Sequence, residues 1–179
     1  PGTLLKKAMK GELPLLQKAQ SLQEELLQLI PGQSFDGTLG QETHLLSMAK
    51  KIFLMIGGQA VQKYAQSLDK EQEVLSNLAD LMIQIYAMES ALLRTKKHIS
   101  RVGEGKATNT IEMTQVYIHE HFEQIEGLAK ETLAYMVEGD VLRTQLSVLK
   151  KLTRSTPVDR VELKRHIAAR VIQAEKYIV

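Results

Sequence analysis

The stretch that decides the fold covers residues 70–102 and reads KEQEVLSNLADLMIQIYAMESALLRTKKHISRV. It contains no proline and no glycine, and apolar side chains recur along it at intervals of three, four or seven residues: Val74, Leu78, Leu81, Ile85, Met88, Leu92, Ile99 and Val102. A second stripe runs beside the first: Leu75, Ala79, Met82, Tyr86 and Leu93. Two adjacent stripes make a wide apolar face, so the pattern predicts a long central helix that is packed on two sides.

The rest of the chain has the same helical periodicity. Further helices are expected near residues 14–30, 41–68, 109–138, 141–152 and 159–177, with Asp69 as the N-cap of the central helix and Thr108 or Asn109 as the N-cap of the next. Residues 1–12 form a short arm, and residues 31–40, with one proline and three glycines, form a loop. Long helices with short connections predict an all-α, up-and-down bundle in a single domain over 1–179, with shorter C-terminal helices.

Composition excludes several kinds of site. The chain has no cysteine, which excludes disulfides, thiolate metal sites and cysteine nucleophiles and fits a reducing compartment. The longest apolar run, residues 52–56, is far shorter than the roughly 20 residues of a membrane-spanning helix. The first residues lack the basic and then apolar pattern of a signal peptide. These observations predict a cytoplasmic protein.

The positive charge is concentrated at the C-terminal end. The chain has a net charge of +2, yet residues 141–179 hold nine Lys or Arg against three Asp or Glu. Such a segment suits an acidic protein surface, an anionic lipid or a phosphate-bearing ligand, or it is simply a solvated helix face. Little aromatic interleaving and no helix-turn-helix signature accompany it, so no nucleic-acid partner is expected.

The densest cluster of ligand-type residues is His119, Glu120 and His121, followed by Glu123. His119 and His121 lie two positions apart and point to different sides of a helix, so they cannot chelate one metal ion. His119 and Glu123 have the spacing of a helical metal pair, as do Glu120 and Glu123, but a second helix with a Glu-x-x-His motif is missing. No metal site is therefore assigned. A small metal or acid–base enzyme that uses these residues is the weakest of the hypotheses.

Glu89 lies on the second apolar stripe of the central helix. If it is buried, it needs a hydrogen-bond donor from another helix or it must be protonated; Arg94 or a base elsewhere could serve. One interpretation is a functional carboxylate with a perturbed pKa. The other is a structural salt bridge or a polar residue at the rim of the core.

Four segments resemble the C-terminal extension of the larger acyl-CoA dehydrogenases, the long-chain and very-long-chain type, and especially of bacterial members. They are PGTLLKKAMKGELP at 1–14, AKKIFL at 49–54 with AVQKY at 60–64, YAMESALLR at 86–94, and GDVLRTQL at 139–146 with the basic segment after it. The resemblance covers nearly the whole chain. It rests on sequence similarity over these segments rather than on catalytic motifs.

The resemblance implies an all-helical accessory domain of a FAD-dependent enzyme of fatty-acid β-oxidation. In that family FAD and the acyl-CoA thioester bind to the amino-terminal part, where a glutamate removes the α proton while hydride passes to the flavin. The implied partner is this catalytic core, in a homo-oligomer of the full-length enzyme. Membrane attachment in mitochondrial relatives, the amphipathic stretch 13–30 and the basic segment together motivate a weak contact with anionic membranes.

The family's catalytic glutamate often sits in a Phe-Glu-Gly-Thr motif, and this chain contains Phe35-Asp36-Gly37-Thr38. The resemblance places the true motif just upstream of Pro1, because PGTLL resembles the segment on the C-terminal side of that motif. Asp36 is therefore not assigned a catalytic role. The chain is expected to hold no catalytic, FAD-binding or metal-binding residue, and to be inactive by itself.

A second hypothesis needs no catalytic partner. The chain would be a free-standing helical interaction module that holds an acidic partner with its basic segment 141–179.

Overall fold

A computed structural model describes residues 35–176, together with Ser21 and Ile178. Within these residues the chain forms five α-helices and no strand. They are α1 (Gly40–Tyr64), α2 (Gln72–Val102), α3 (Glu104–Met136), α4 (Gly139–Leu152) and α5 (Arg160–Ala174), with a 3₁₀ helix, Ala65–Lys70, between α1 and α2. The all-α prediction is confirmed. The predicted arm 1–12 and helix 14–30 lie outside the described residues.

Helices α1, α2 and α3 pack on one another in alternating directions, and α4 and α5 lie against them. Contacts join α2 to α3, α3 to α1 and α1 to α2, while α4 contacts α3 and α1, and α5 contacts α3. Polar side chains bridge α2 and α3 at two levels: Thr95 Oγ1 lies 2.6 Å from Thr114 Oγ1, and Asn77 Nδ2 donates to Thr132 Oγ1 at 3.0 Å. The first pair joins the end of α2 to the start of α3, and the second joins the start of α2 to the end of α3. The two helices are therefore antiparallel.

One hydrophobic core joins the first four helices. Its fully buried members include Leu45 and Ile52 of α1, Ile118 and Ile125 of α3, and Leu149 of α4. Residues 52–56 form part of α1, so the run that alone would also suit a buried strand is helical. Helix α1 continues through Gly57, where an added Cβ would lie 4.0 Å from Leu78 Cδ2 of α2, so this glycine lies at the contact between the two helices.

The first apolar stripe of α2 is buried as predicted from Val74 to Leu92, whereas Ile99 is half-buried, Val102 is 38% exposed, and the second stripe is buried only in part. Val74, Leu81 and Met88 of the first stripe are at most 1% exposed. In the second stripe, Tyr86 is 74% exposed and Leu93 60% exposed. Helix α2 contacts both α1 and α3, as a helix packed on two sides should, but these contacts leave Tyr86 and Leu93 of the second stripe uncovered within the described residues.

The predicted caps of α2 and α3 are also wrong. Ala65 has a positive φ of 45°, which ends α1, and the six residues Ala65–Lys70 form the 3₁₀ helix, so Asp69 lies within that helix and Glu71 precedes α2. At the other end, Gly103 has a φ of 83° and turns the chain at once. Because glycine adopts this conformation without steric cost, α3 begins at Glu104 and no linker to Thr108 is needed.

The last helix follows the prediction more closely. Asp159 is the N-cap of α5, and its side chain accepts a hydrogen bond from the backbone N–H of Glu162 at 2.9 Å. No helix in the described part of the chain is long and apolar enough to cross a membrane.

Candidate functional site

The predicted cluster on α3 is divided between the core and the surface. His119 points into the bundle and is 6% exposed, and its Nε2 lies 3.4 Å from Oε1 of Glu42, which is 2% exposed. Glu42 belongs to the first turn of α1, where a carboxylate also interacts favourably with the helix dipole, and no sequence pattern singles it out. His119 and Glu42 therefore form a buried polar pair between α1 and α3.

Glu120 and Glu123 lie on the other side of α3 and bind α5. Lys164 Nζ donates to Glu120 Oε1, and Arg160 Nη2 donates to Glu123 Oε1 at 2.7 Å. The hydrogen bond from Lys164 lowers the pKa of Glu120, with a further contribution from the positive charges of Lys164 and Arg160. The two carboxylates are thus held by cations and do not converge with His119. Among residues 35–176, no three His, Asp or Glu side chains form a group that suits a metal ion.

Glu112 is the most buried acid of this interface. Its side chain is 13% exposed; Oε2 lies 2.7 Å from Arg170 Nη1, and Oε1 lies 3.5 Å from His166 Nδ1. Arg170 also donates to Asn109 Oδ1 at 3.1 Å. None of the described α5 residues is fully buried, so α5 is attached to α3 mainly by charge pairs. Three cations of the basic segment singled out in the sequence are therefore bound to α3.

Glu89 is a salt-bridged residue at the rim of the core. Lys50 Nζ of α1 lies 2.6 Å from Glu89 Oε1, and the two side chains are 46% and 39% exposed. The structural interpretation of Glu89 is therefore confirmed. The donor is Lys50 rather than Arg94.

Residues 35–38 form a turn at the start of α1. Gly37 has a φ of 78°, the Phe35 ring packs on His44 with 4.6 Å between ring centroids, and Thr38 Oγ1 donates to Glu104 at the start of α3. Asp36 is exposed. These contacts give the segment a role in joining α1 to the α2–α3 turn, and they supply no partner for a catalytic Asp36.

Helix α2 carries three large apolar side chains that no described element covers. We call Ile83, Tyr86 and Leu93 the outer patch; they are 64%, 74% and 60% exposed. Intervals of three and seven residues place them on one side of the helix, over about 15 Å of its length. Single exposed apolar residues are ordinary, but an apolar row on one helix face is typical of an interaction surface.

Comparisons with known proteins agree with the sequence resemblance. Residues 48–151 match the family model described as "Acyl-CoA dehydrogenase, C-terminal domain". The whole chain is 51% identical to a probable acyl-CoA dehydrogenase of Bacillus subtilis (strain 168), of which it covers 30%. It also superimposes, with a TM-score of 0.93 and 52% identity, on 30% of an acyl-CoA dehydrogenase from Bacillus anthracis that was crystallised with FAD.

The chain thus spans less than a third of the length of these two relatives. The matched region, residues 48–151, lies within the helical bundle described above, which is a helical accessory unit. The chain belongs to the family of acyl-CoA dehydrogenase C-terminal domains.

Proposed function

We propose that this chain is the helical accessory domain of a FAD-dependent acyl-CoA dehydrogenase of fatty-acid β-oxidation, and that its role is structural. The observation that carries the proposal is the identity of about half over the whole chain to proteins of this kind, of which it covers only 30%. One of these relatives contains FAD. The remaining 70% of such a polypeptide would hold the flavin, the acyl-CoA thioester and the reacting groups.

The polar side chains of the described residues support this division of labour. The carboxylates singled out in the sequence are paired within the bundle: Glu120 and Glu123 with α5, and Glu89 with Lys50. Glu42, which the sequence does not single out, is buried with its Oε1 3.4 Å from His119 Nε2. A catalytic carboxylate must reach its substrate, whereas these groups join one helix to another. We therefore assign no catalytic, FAD-binding or metal-binding residue to this chain.

The proposal is tested by comparing two purified proteins. One is the longer polypeptide that contains this chain, and the other is the chain of 179 residues alone. The longer polypeptide should retain flavin and transfer electrons from an acyl-CoA to an artificial acceptor, while the chain alone should be colourless and inactive. Flavin bound stoichiometrically to the chain alone would contradict the assignment.

A cytoplasmic location and homo-oligomerisation of the full-length enzyme are part of the proposal. The absence of cysteine supports a reducing compartment. Weak contact with anionic membranes stays a prediction, motivated by residues 13–30 and the basic segment. Co-sedimentation with anionic vesicles at low salt tests it, and no binding under these conditions would contradict it.

The hypothesis of a free-standing module rests on nine cations in residues 141–179, and three of them are bound within the bundle. Arg160, Lys164 and Arg170 are bound to carboxylates of α3, so they are not available to hold an acidic partner without first leaving the bundle.

A further inference from the structure

The second apolar stripe of α2 shows a conflict between sequence and structure. Its residues recur with the regularity of a buried helix face, yet Tyr86 and Leu93 are exposed to 74% and 60%. The six residues of the adjacent first stripe from Val74 to Leu92 are at most 9% exposed. A helix with a polar outer face would be expected in this position if α2 were a surface helix.

The charged residues beside the outer patch are acidic toward the start of α2 and basic toward its end. Asp80 lies exposed beside Ile83, toward the start of α2. Arg94, Lys97 and Arg101 are exposed beyond Leu93, and no ion pair joins them to a carboxylate of the described residues. An occupant of the patch therefore needs apolar groups at its centre and acidic groups beside the C-terminal end of α2.

We propose that the outer patch is the surface on which the flavin-bearing remainder of the same polypeptide docks. This inference rests on the proposed function, which places about 70% of the polypeptide outside this chain. A body of that size, joined covalently, is held at high effective concentration, so a patch of three large side chains suffices to orient it. The flavin-bearing body presents an apolar strip with acidic groups at the end that meets Arg94 and Lys97.

Hydroxyl-radical footprinting tests the inference with an internal control. Tyr86 and Tyr135 are exposed tyrosines, at 74% and 54%, and lie on different helices. Their oxidation rates are compared between the chain of 179 residues, over a range of concentrations, and the longer polypeptide with its flavin bound. Burial of Tyr86 at an interface core should lower its oxidation rate in the longer polypeptide by about fivefold, with Tyr135 changed by less than about twofold.

Each other outcome overturns the inference in a distinguishable way. Unchanged oxidation of Tyr86 in a flavin-containing longer polypeptide places the docking surface elsewhere and leaves the proposed function intact. Protection of Tyr86 in the 179-residue chain identifies residues 1–34 as the occupant if it is independent of concentration, and a second copy if it grows with concentration. A polypeptide without flavin overturns the proposed function itself.

A pair of variants of the longer polypeptide gives a second readout. Leu93→Lys places a charge in the patch, whereas Ile172→Lys places one at an equally open position on α5, where the wild-type side chain is 75% exposed. Leu93→Lys should restore the oxidation of Tyr86 to within about twofold of its rate in the chain alone. Ile172→Lys should leave Tyr86 protected. Equal effects of the two variants, with the helical circular dichroism of both intact, would overturn the assignment of the patch.

Discussion

Replacing Arg170 with alanine should loosen α5 from α3 far more than replacing Arg160. Arg170 pairs at 2.7 Å with Glu112, whose side chain is only 13% exposed, whereas Arg160 pairs at the same distance with Glu123, which is 63% exposed. Removing Arg170 leaves a largely desolvated carboxylate whose remaining polar neighbour is the His166 imidazole, with Nδ1 3.5 Å from Glu112 Oε1. Removing Arg160 leaves a carboxylate that water solvates at once.

The expected magnitudes reflect this difference in burial. Exposed ion pairs contribute about 0–1 kcal/mol, so Arg160→Ala should fall in that range. Breaking a fully buried pair costs about 3–5 kcal/mol, and since Glu112 keeps some exposure, we expect about 1.5–3 kcal/mol for Arg170→Ala. At about 1.4 kcal/mol per factor of ten, the α5 opening equilibrium should rise roughly 10- to 150-fold in Arg170→Ala and less than about sixfold in Arg160→Ala.

Amide hydrogen exchange read by mass spectrometry is the suitable assay, because α5 has no fully buried residue and can open without global unfolding. Peptides that cover Arg160–Ala174 should exchange faster in Arg170→Ala, while core peptides of α2 should be unchanged. Glu112→Gln, alone and with Arg170→Ala, separates the pair from other effects of the arginine. Equal exchange of α5 in the two arginine variants would refute the reasoning.

Three further predictions concern the bundle. Leu81→Ala, at a position that is 0% exposed, should destabilise the chain by about 2–5 kcal/mol in urea unfolding. Ile83→Ala, at a position that is 64% exposed, should change the stability of the chain alone by less than about 0.5 kcal/mol. Similar losses of stability in the two variants would contradict the assigned faces of α2. Glu89→Gln should cost less than about 1 kcal/mol in the same assay, because its ion pair is exposed, and a larger loss would mean that the carboxylate is buried. Burial and the charge of Lys51 lower the pKa of His44 below its usual 6.5, so the folded chain binds fewer protons at this residue than the unfolded chain does. The stability of the chain should therefore be lost as the pH falls through the folded pKa of His44. In melting curves from pH 7.5 to 5, the melting temperature of His44→Gln should fall less steeply than that of the wild type.

The parts of the fold that sequence predicts well are those set by local periodicity. The first stripe of α2 reads as a buried face from Val74 to Leu92 because its intervals there are all three or four residues, and the last helix is expected from about residue 159, where the structure places its N-cap, Asp159. Both signals lie within a few residues of each other along the chain. Neither signal depends on how more distant parts of the chain fold or pack.

The errors have a common physical origin in neighbours that sequence patterns do not report. Thr108 is a reasonable cap by residue type, but Gly103 makes the turn by itself and lets α3 start at Glu104. Glu42 and His119 are far apart in the sequence, and periodicity does not say which helix faces which. The partner of Glu89 could not be identified for the same reason, since Lys50 lies on another helix.

The second stripe of α2 is a different case, because the pattern is regular and the described residues bury it only in part. Periodicity reports that a face is apolar, and it carries no information on whether the covering element belongs to the same segment of chain. In a unit that spans 30% of its relatives, such a face is where the rest of the polypeptide is expected. The mismatch is the observation from which the docking surface on α2 is proposed.

The most direct test of the central claim is the size and flavin content of the native polypeptide that carries this chain. An antibody raised against the 179 residues is used to detect and purify it from the source cells. The account predicts one polypeptide about three times as long as this chain, as the 30% coverage of its relatives implies, which purifies with flavin. A flavin-free polypeptide of the chain's own size would contradict it.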